Sequence, residues 1–207
     1  RWGVASSRII RSPIGPLELE SDGSALTAIR FRPVAPPGAR GDRNAQHRRD
    51  HPSAPDGPHA ADALDAPHDP ESDRILGAAA LQLGEYFAGN RVTFDLPMRT
   101  TGTPFQRSVW AALAAVPYGG WVSYSAIAVA VGRPTAARAV GAACRRNPLP
   151  IVVPCHRVVG ADGSLTGYAG GTAAKSTLLR LEARTLEAHD STADGGDLEA
   201  GPARRRR

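Results

Sequence analysis

Residues 103–147 read TPFQRSVWAALAAVPYGGWVSYSAIAVAVGRPTAARAVGAACRRN, and this stretch decides the architecture of the second half of the chain. Thr103-Pro104-Phe105-Gln106 is a helix start, with Thr103 as N-cap, Pro104 in the first helical position and Gln106 closing a capping box. Val109, Trp110, Leu113 and Val116 recur at helical spacing and supply an apolar face. Pro117-Tyr118-Gly119-Gly120 stops that helix. A second helix is expected from about Ser123 to Val131, ending at Gly132, and a third from Pro134 to about Arg146, ending at Asn147-Pro148. Two brief helices joined by a short turn suit a helix-turn-helix, with the third helix as the element that meets DNA.

The third helix has an unusual composition. Ala136, Ala137, Ala139, Gly141, Ala142 and Ala143 leave it nearly bare, while Arg138, Arg145 and Arg146 project from it. A major-groove reader carries side chains aimed at base edges. A bare helix with an arginine in its middle suits close approach to a narrower surface such as a minor groove. High helix propensity in an alanine-rich core helix is the competing explanation.

Charge points the same way. The 207 residues carry a formal net charge of +5, but residues 101–184 hold nine Lys and Arg against only Asp162 and Glu182. An excess of that size suits a polyanion, although a solvated face with spare arginines has the same composition. No run approaches the ~20 apolar residues of a membrane-spanning helix. No secretory signal is visible, so a cytoplasmic protein with no membrane partner is expected. Cys144 and Cys155 are the only cysteines, too few for a disulfide framework or a four-cysteine zinc site.

The first hundred residues read as a small α/β unit. Leu17-Glu18-Leu19-Glu20 alternates as a half-buried strand does, Asp22-Gly23 is turn material, and Ala25 to Phe31 resumes the alternation. Residues 36–72 are rich in proline and acid and nearly devoid of large apolar side chains, so a disordered insertion is expected there. His47, His51, His59 and His68 fall in it at irregular spacing with no cysteine, which favours a solvated linker over a metal tract. Ile75, Leu76, Ala79, Leu83, Tyr86 and Phe87 predict a helix over 73–88, and 91–96 reads as one more strand. The fold class is therefore α/β (α+β). A small N-terminal sheet-and-helix domain spans 1–100, a helical domain with the helix-turn-helix spans 101–184, and a disordered tail runs from 185 to 207.

Leu149 to Val153 is a short apolar run that reads as a buried strand or extended segment and delivers Pro154-Cys155-His156-Arg157-Val158. The thiolate is the reactive form of cysteine, and a neighbouring histidine offers a base or a cation for it. A lone cysteine is more often a small buried hydrophobe. In an extended chain Cys155 and His156 would face opposite sides, so a relay between them would need a bridging water.

Pro154-Cys155-His156-Arg157-Val158, preceded by Asn147-Pro148 and followed by Tyr168-Ala169-Gly170-Gly171, closely resembles the active-site signature of the O6-alkylguanine-DNA alkyltransferases, the methylated-DNA–protein-cysteine methyltransferases. The resemblance runs from about Thr103 to Glu182 and continues more weakly through Ser12-Pro13-Ile14-Gly15-Pro16. It implies a single-turnover repair protein that takes an alkyl group from guanine O6, with O4-alkylthymine as a second substrate to consider, and keeps it on Cys155. It implies that His156 acts through a water, that Glu182 polarises His156, and that Asn147 braces the turn ahead of the cysteine. Tyr124 and Tyr168 would contact and line the base pocket. The main chain of Cys155, Val158 and Ala169 would read the guanine edge, and Lys175 matches a lysine near the pocket. Arg138 would enter the duplex in place of the flipped nucleotide, and Ala137, Ala139 and Gly141 would let the helix lie in the minor groove, with Arg145 also on the DNA side. The implied partner is double-stranded DNA containing O6-alkylguanine, bound by a monomer with no metal and no cofactor. Three readings compete: a non-enzymatic binder of alkylated bases, which would lack the cysteine; a sequence-reading regulator, which would need base-reading side chains on the third helix; and a redox pair of Cys144 and Cys155, whose spacing is not Cys-x-x-Cys.

Overall fold

A computed structural model describes residues 6–33 and 69–193. The bulk of the expected insertion and the four histidines within it lie outside these residues, as does the chain beyond 193. Strands β1 (Ser6–Ile10), β2 (Leu17–Ser21) and β3 (Leu26–Phe31) form an antiparallel sheet in that order. Alternation puts Leu17, Leu19 and Ser21 of β2 on the buried side. On the other side Glu18 lies opposite Arg30 in register and ion-pairs with Arg32, while Arg30 pairs with Glu20.

Helix α1 (Pro70–Phe87) covers the buried side with Ile75, Leu76, Ala79, Leu83 and Tyr86. It begins three residues before the expected start at 73, because Asp69 caps it by accepting from the Glu71 amide and Pro70 takes the first turn. Residues 70–72 therefore belong to the helix rather than to the insertion. The strand expected over 91–96 does not form. The Gln82 side chain holds that segment instead, donating to the Asp95 carbonyl (2.7 Å) and accepting from its amide (2.8 Å). Just past it, Met98 bridges to Leu26 of β3, whose amide donates to the Pro97 carbonyl (2.8 Å) and whose carbonyl accepts from the Arg99 amide (3.0 Å).

Helix α2 (Pro104–Ala114) carries both halves of the capping box. A two-residue strand β4 (Val122–Ser123) leads into α3 (Tyr124–Ala130), which Ser123 caps and which ends at Gly132 with φ 70°. Helix α4 spans Ala137–Arg145, so the expected start at Pro134 is three residues early; residues 134–136 form a turn and no side chain caps the helix. The indole N–H of Trp110 on α2 donates to the Ala143 carbonyl on α4 (3.0 Å), tying those two helices together. A 3-10 turn (Cys155–Arg157) and a two-residue strand β5 (Val158–Val159) follow, and β5 pairs in parallel with β4.

Helix α5 runs from Gly171 to Ala193, so the chain from 185 to 193 is helix and not tail. Thr185 is buried there, and Leu186 lies against Gly119, leaving no room for a Cβ at that glycine. The two halves share one continuous core, from Leu17 and Tyr86 to Val140, Val158 and Leu178. The Ile29 amide of β3 also donates to the Pro148 carbonyl (2.8 Å), joining the sheet edge to the segment ahead of Cys155.

The capping box is expected to carry measurable stability. Thr103→Ala should lower the unfolding free energy by about 1 kcal/mol in urea titrations. An unchanged midpoint would show that packing alone holds the start of α2.

Candidate active site

Asn147, just past the end of α4, clasps the turn that follows it. Its side-chain oxygen accepts from the Leu149 amide (3.0 Å), and its amide nitrogen donates to the Val153 carbonyl (2.7 Å) and to Cys155 Sγ (3.2 Å). The segment 149–153 is therefore a tight buried turn, with a bridge between Pro150 and Val153, and not the strand that its β-branched residues suggest. Ile151 pays for the turn with φ 78°, an unfavourable value for a β-branched residue, while its side chain is fully packed.

The 3-10 turn changes the geometry expected of the Cys-His pair. With three residues per turn, successive side chains leave the axis about a third of a circle apart. Cys155 thus faces Asn147, while His156 and Arg157 both reach Glu182 on α5. Glu182 is fully buried and receives five hydrogen bonds. Oε1 accepts from Tyr86 Oη (2.7 Å), His156 Nε2 (2.8 Å) and Arg157 Nη2 (2.9 Å). Oε2 accepts from Arg157 Nε (2.9 Å) and the Gly119 amide (2.9 Å). Burial alone would raise the carboxyl pKa, but the His156 and Arg157 donors outweigh it and hold it at about 2. Arg157 is fixed further by Nη1 on the Val116 carbonyl (2.7 Å).

An ionised Glu182 requires the proton of neutral His156 on Nε2. Nδ1 then carries the lone pair, and Nδ1 is buried with no protein partner. Burial lowers the His156 pKa, with Glu182 opposing, so the ring is neutral near pH 7. Burial also pushes the Cys155 thiol up to about 11, with the Asn147 bond offsetting part of the rise. A standing, low-pKa thiolate is therefore not what this pocket provides. Cys144, on the inner side of α4, is pushed up to about 12, again by burial first and by its proximity to Cys155 second.

Lys175 is fully buried and donates to the carbonyls of Val158 and Thr166 (2.8 Å to the latter), while its ammonium lies 5.7 Å from the Tyr124 ring centre. Tyr124 Oη donates to the same Thr166 carbonyl (2.9 Å). Tyr168 packs edge-on against Phe31 of β3 (5.5 Å) and His156 (6.4 Å), and its hydroxyl is buried without a protein partner. Ala169 next to it is exposed.

Outside this pocket lies an open cleft of about 520 Å³ lined by Tyr124, Ala137, Arg138, Gly141, Arg145, Thr166 and Gly167. Arg138, Ala139, Arg145 and Arg146 are exposed on α4, as is Arg133 ahead of it. A Cβ at Gly141 would sit 3.7 Å from the Tyr124 ring, an ordinary contact, so the bare position keeps the cleft open rather than relieving a clash within the protein.

The cysteine, histidine, glutamate and asparagine singled out in the sequence thus meet in one place, with Tyr124, Tyr168, Val158 and Lys175 around them. Arg157 and Tyr86 went unassigned. Arg157 had a signal, as a cation inside an otherwise buried five-residue motif. Tyr86 had none, since its helical spacing marks it only as core.

The sequence profile described as the 6-O-methylguanine DNA methyltransferase DNA-binding domain matches residues 104–184. The profile of the ribonuclease-like domain of the same proteins matches residues 7–100. A Methanosarcina barkeri methylated-DNA–protein-cysteine methyltransferase is 40% identical over 178 residues, 86% of this chain and 97% of that protein. A protein of that name from Mycobacterium tuberculosis is 43% identical over 175 residues, 84% of this chain and 90% of its own. Among solved structures, the M. tuberculosis O6-methylguanine methyltransferase superposes with TM-score 0.66 at 40% identity, covering 90% of this chain and 100% of that one. The M. tuberculosis OGT in complex with DNA gives 0.65 at 41% identity, covering 86% and 93%.

The raised thiol pKa has a direct readout. At pH 8, iodoacetamide should modify Cys155 at least about 100-fold more slowly in the folded protein than in guanidinium, where the pKa returns to ~8.5. Peptide mapping separates Cys155 from Cys144, and equal folded and unfolded rates would show that burial does not suppress the thiolate.

Proposed function

Because the chain belongs to the methylated-DNA–protein-cysteine methyltransferase family, a family of DNA-binding repair proteins, we propose that Cys155 is its acceptor and O6-alkylguanine in duplex DNA its substrate. The observation that carries this assignment is the buried Cys155 thiol on the Asn147 clasp, with the neighbouring His156 already oriented by Glu182.

The reaction is an in-line displacement at the alkyl carbon. A carbon–sulfur bond forms at Cys155 as the carbon–O6 bond breaks, and that electron pair returns to the base, which takes up a proton and leaves as guanine. At pH 7 a thiol near 11 is ionised in only about one molecule in 10⁴. Its proton must therefore move as the reaction begins, and His156 Nδ1 is the acceptor, through a water. Glu182 then faces an imidazolium at 2.8 Å, the contact that makes this transfer affordable. The product is a thioether, whose carbon–sulfur bond resists ordinary side-chain nucleophiles, so each molecule acts once and the damaged DNA is itself the alkyl donor.

Access to the target carbon requires the nucleotide to leave the stack, at a cost of a few kcal/mol. Arg138 enters the gap it leaves. Ala137, Ala139 and Gly141 let α4 approach the minor groove, and Arg145 contacts the backbone. Tyr124 and Tyr168 hold the extruded base, while the main chain of Val158 and Ala169 reads its edge. Lys175 fixes the Val158 carbonyl and the loop at Thr166 that form the pocket wall. The protein works as a cytoplasmic monomer; among the described residues no helix is long and apolar enough to cross a membrane.

Mass spectrometry after mixing with a duplex bearing one O6-methylguanine should show one methyl group per protein, mapped to Cys155 and absent from Cys155→Ala. Tight binding with no mass change would overturn the transfer reading. Arg138→Ala should slow repair of a paired duplex about 10-fold or more, with a smaller effect on single-stranded substrate, which pays no unpairing cost.

A further inference from the structure

We infer that Tyr86, contributed by the N-terminal half of the chain, is a positioning residue that tunes the His156–Glu182 pair. The inference rests on the assignment of His156 as the base. Tyr86 is fully buried on the last turn of α1, and its hydroxyl donates to Glu182 Oε1 at 2.7 Å. That oxygen also accepts from His156 Nε2 and Arg157 Nη2, so three donors share one carboxylate oxygen. An oxygen presents about two lone-pair directions, and each donor weakens its partners' share of the negative charge. Tyr86 therefore draws charge away from His156. It also pins Oε1 in place, because its ring is held between Phe87 (5.4 Å), Phe94 (5.5 Å) and Tyr118 (6.0 Å).

The groups facing this pair come from every element around it. They are Arg157 on the 3-10 turn, Tyr118 and the Gly119 amide from the loop after α2, Lys175 on α5, Tyr168 ahead of α5, and Tyr86 on α1. Tyr86→Phe alters only one of them. A phenyl ring keeps the aromatic packing, and Oε1 keeps two donors, so the fold has no buried group left unsatisfied. Without the phenol hydroxyl, Oε1 turns more of its charge to His156 and stabilises the imidazolium. The sign follows: the pKa of His156 rises.

The test compares wild type, Tyr86→Phe and Phe94→Leu in the full chain. Phe94→Leu disturbs the same aromatic cluster without removing a donor. Two readouts are taken: the NMR titration of His156, and the pH dependence of methyl transfer from an O6-methylguanine duplex. Tyr86→Phe should raise the His156 titration midpoint by about 0.5–1 unit. The limb of the transfer profile set by that histidine should move by the same amount in the same direction, with DNA affinity unchanged. Phe94→Leu should leave both where they are in wild type. An unchanged midpoint in Tyr86→Phe, or an equal shift in Phe94→Leu, overturns the inference. A shifted midpoint in a protein set that transfers no methyl group at all would instead overturn the proposed function and leave the coupling standing.

Discussion

The buried carboxylate of Glu182 is the constraint to which the rest of the site is fitted. A carboxylate without solvent is costly unless every lone pair is used. Here five donors come from α1, the loop after α2 and the 3-10 turn, converging on one residue of α5. Each donor is thereby fixed in orientation. His156 presents a defined tautomer, Arg157 ties the turn to the end of α2, and the Gly119 loop is held under α5. The long extension of α5 past residue 184 belongs to the same arrangement, since Thr185 and Leu186 pack beside Glu182 on the same elements.

The thiol and helix α4 follow opposite rules. Cys155 is kept in a pocket that holds it protonated, which protects a nucleophile that acts once from reacting with whatever diffuses past. Helix α4 is exposed and stripped of bulk, with its charge in arginines around an open cleft. The two surfaces are joined by β4 and β5, which pair in parallel, Val122 with Val158 and Ser123 with Val159, so that the strand leading into Tyr124 lies beside the strand leaving the 3-10 turn of Cys155.

Where a signal was local, the sequence was readable. The capping box of α2, the Ser123 start of α3, the Gly132 stop and the alternation in β2 all act within a few residues. Cys155, His156, Asn147 and Glu182 were recognisable because a contiguous motif and a matched family pattern marked them. Features decided at a distance were not readable. Residues 91–96 alternate like a strand, but Gln82 takes up the amide and carbonyl of Asp95, and among the described residues no strand pairs with them. The apolar run 149–153 folds into a turn because Asn147 occupies its hydrogen-bonding groups. Tyr86 sits on an ordinary core stripe, and only the folded chain brings its hydroxyl to Glu182.

The link from Tyr86 to Glu182 spans 96 positions of sequence, whereas α2, α3 and α4 pack within a stretch of some forty residues. Closing a long loop costs more entropy than closing a short one, so local helices assemble ahead of contacts this remote. By that measure the three helices and the Glu182–His156 contact, 26 positions apart, precede the Tyr86 contact. Docking of the N-terminal half then closes the last hydrogen bond onto a carboxylate that already holds its histidine and arginine.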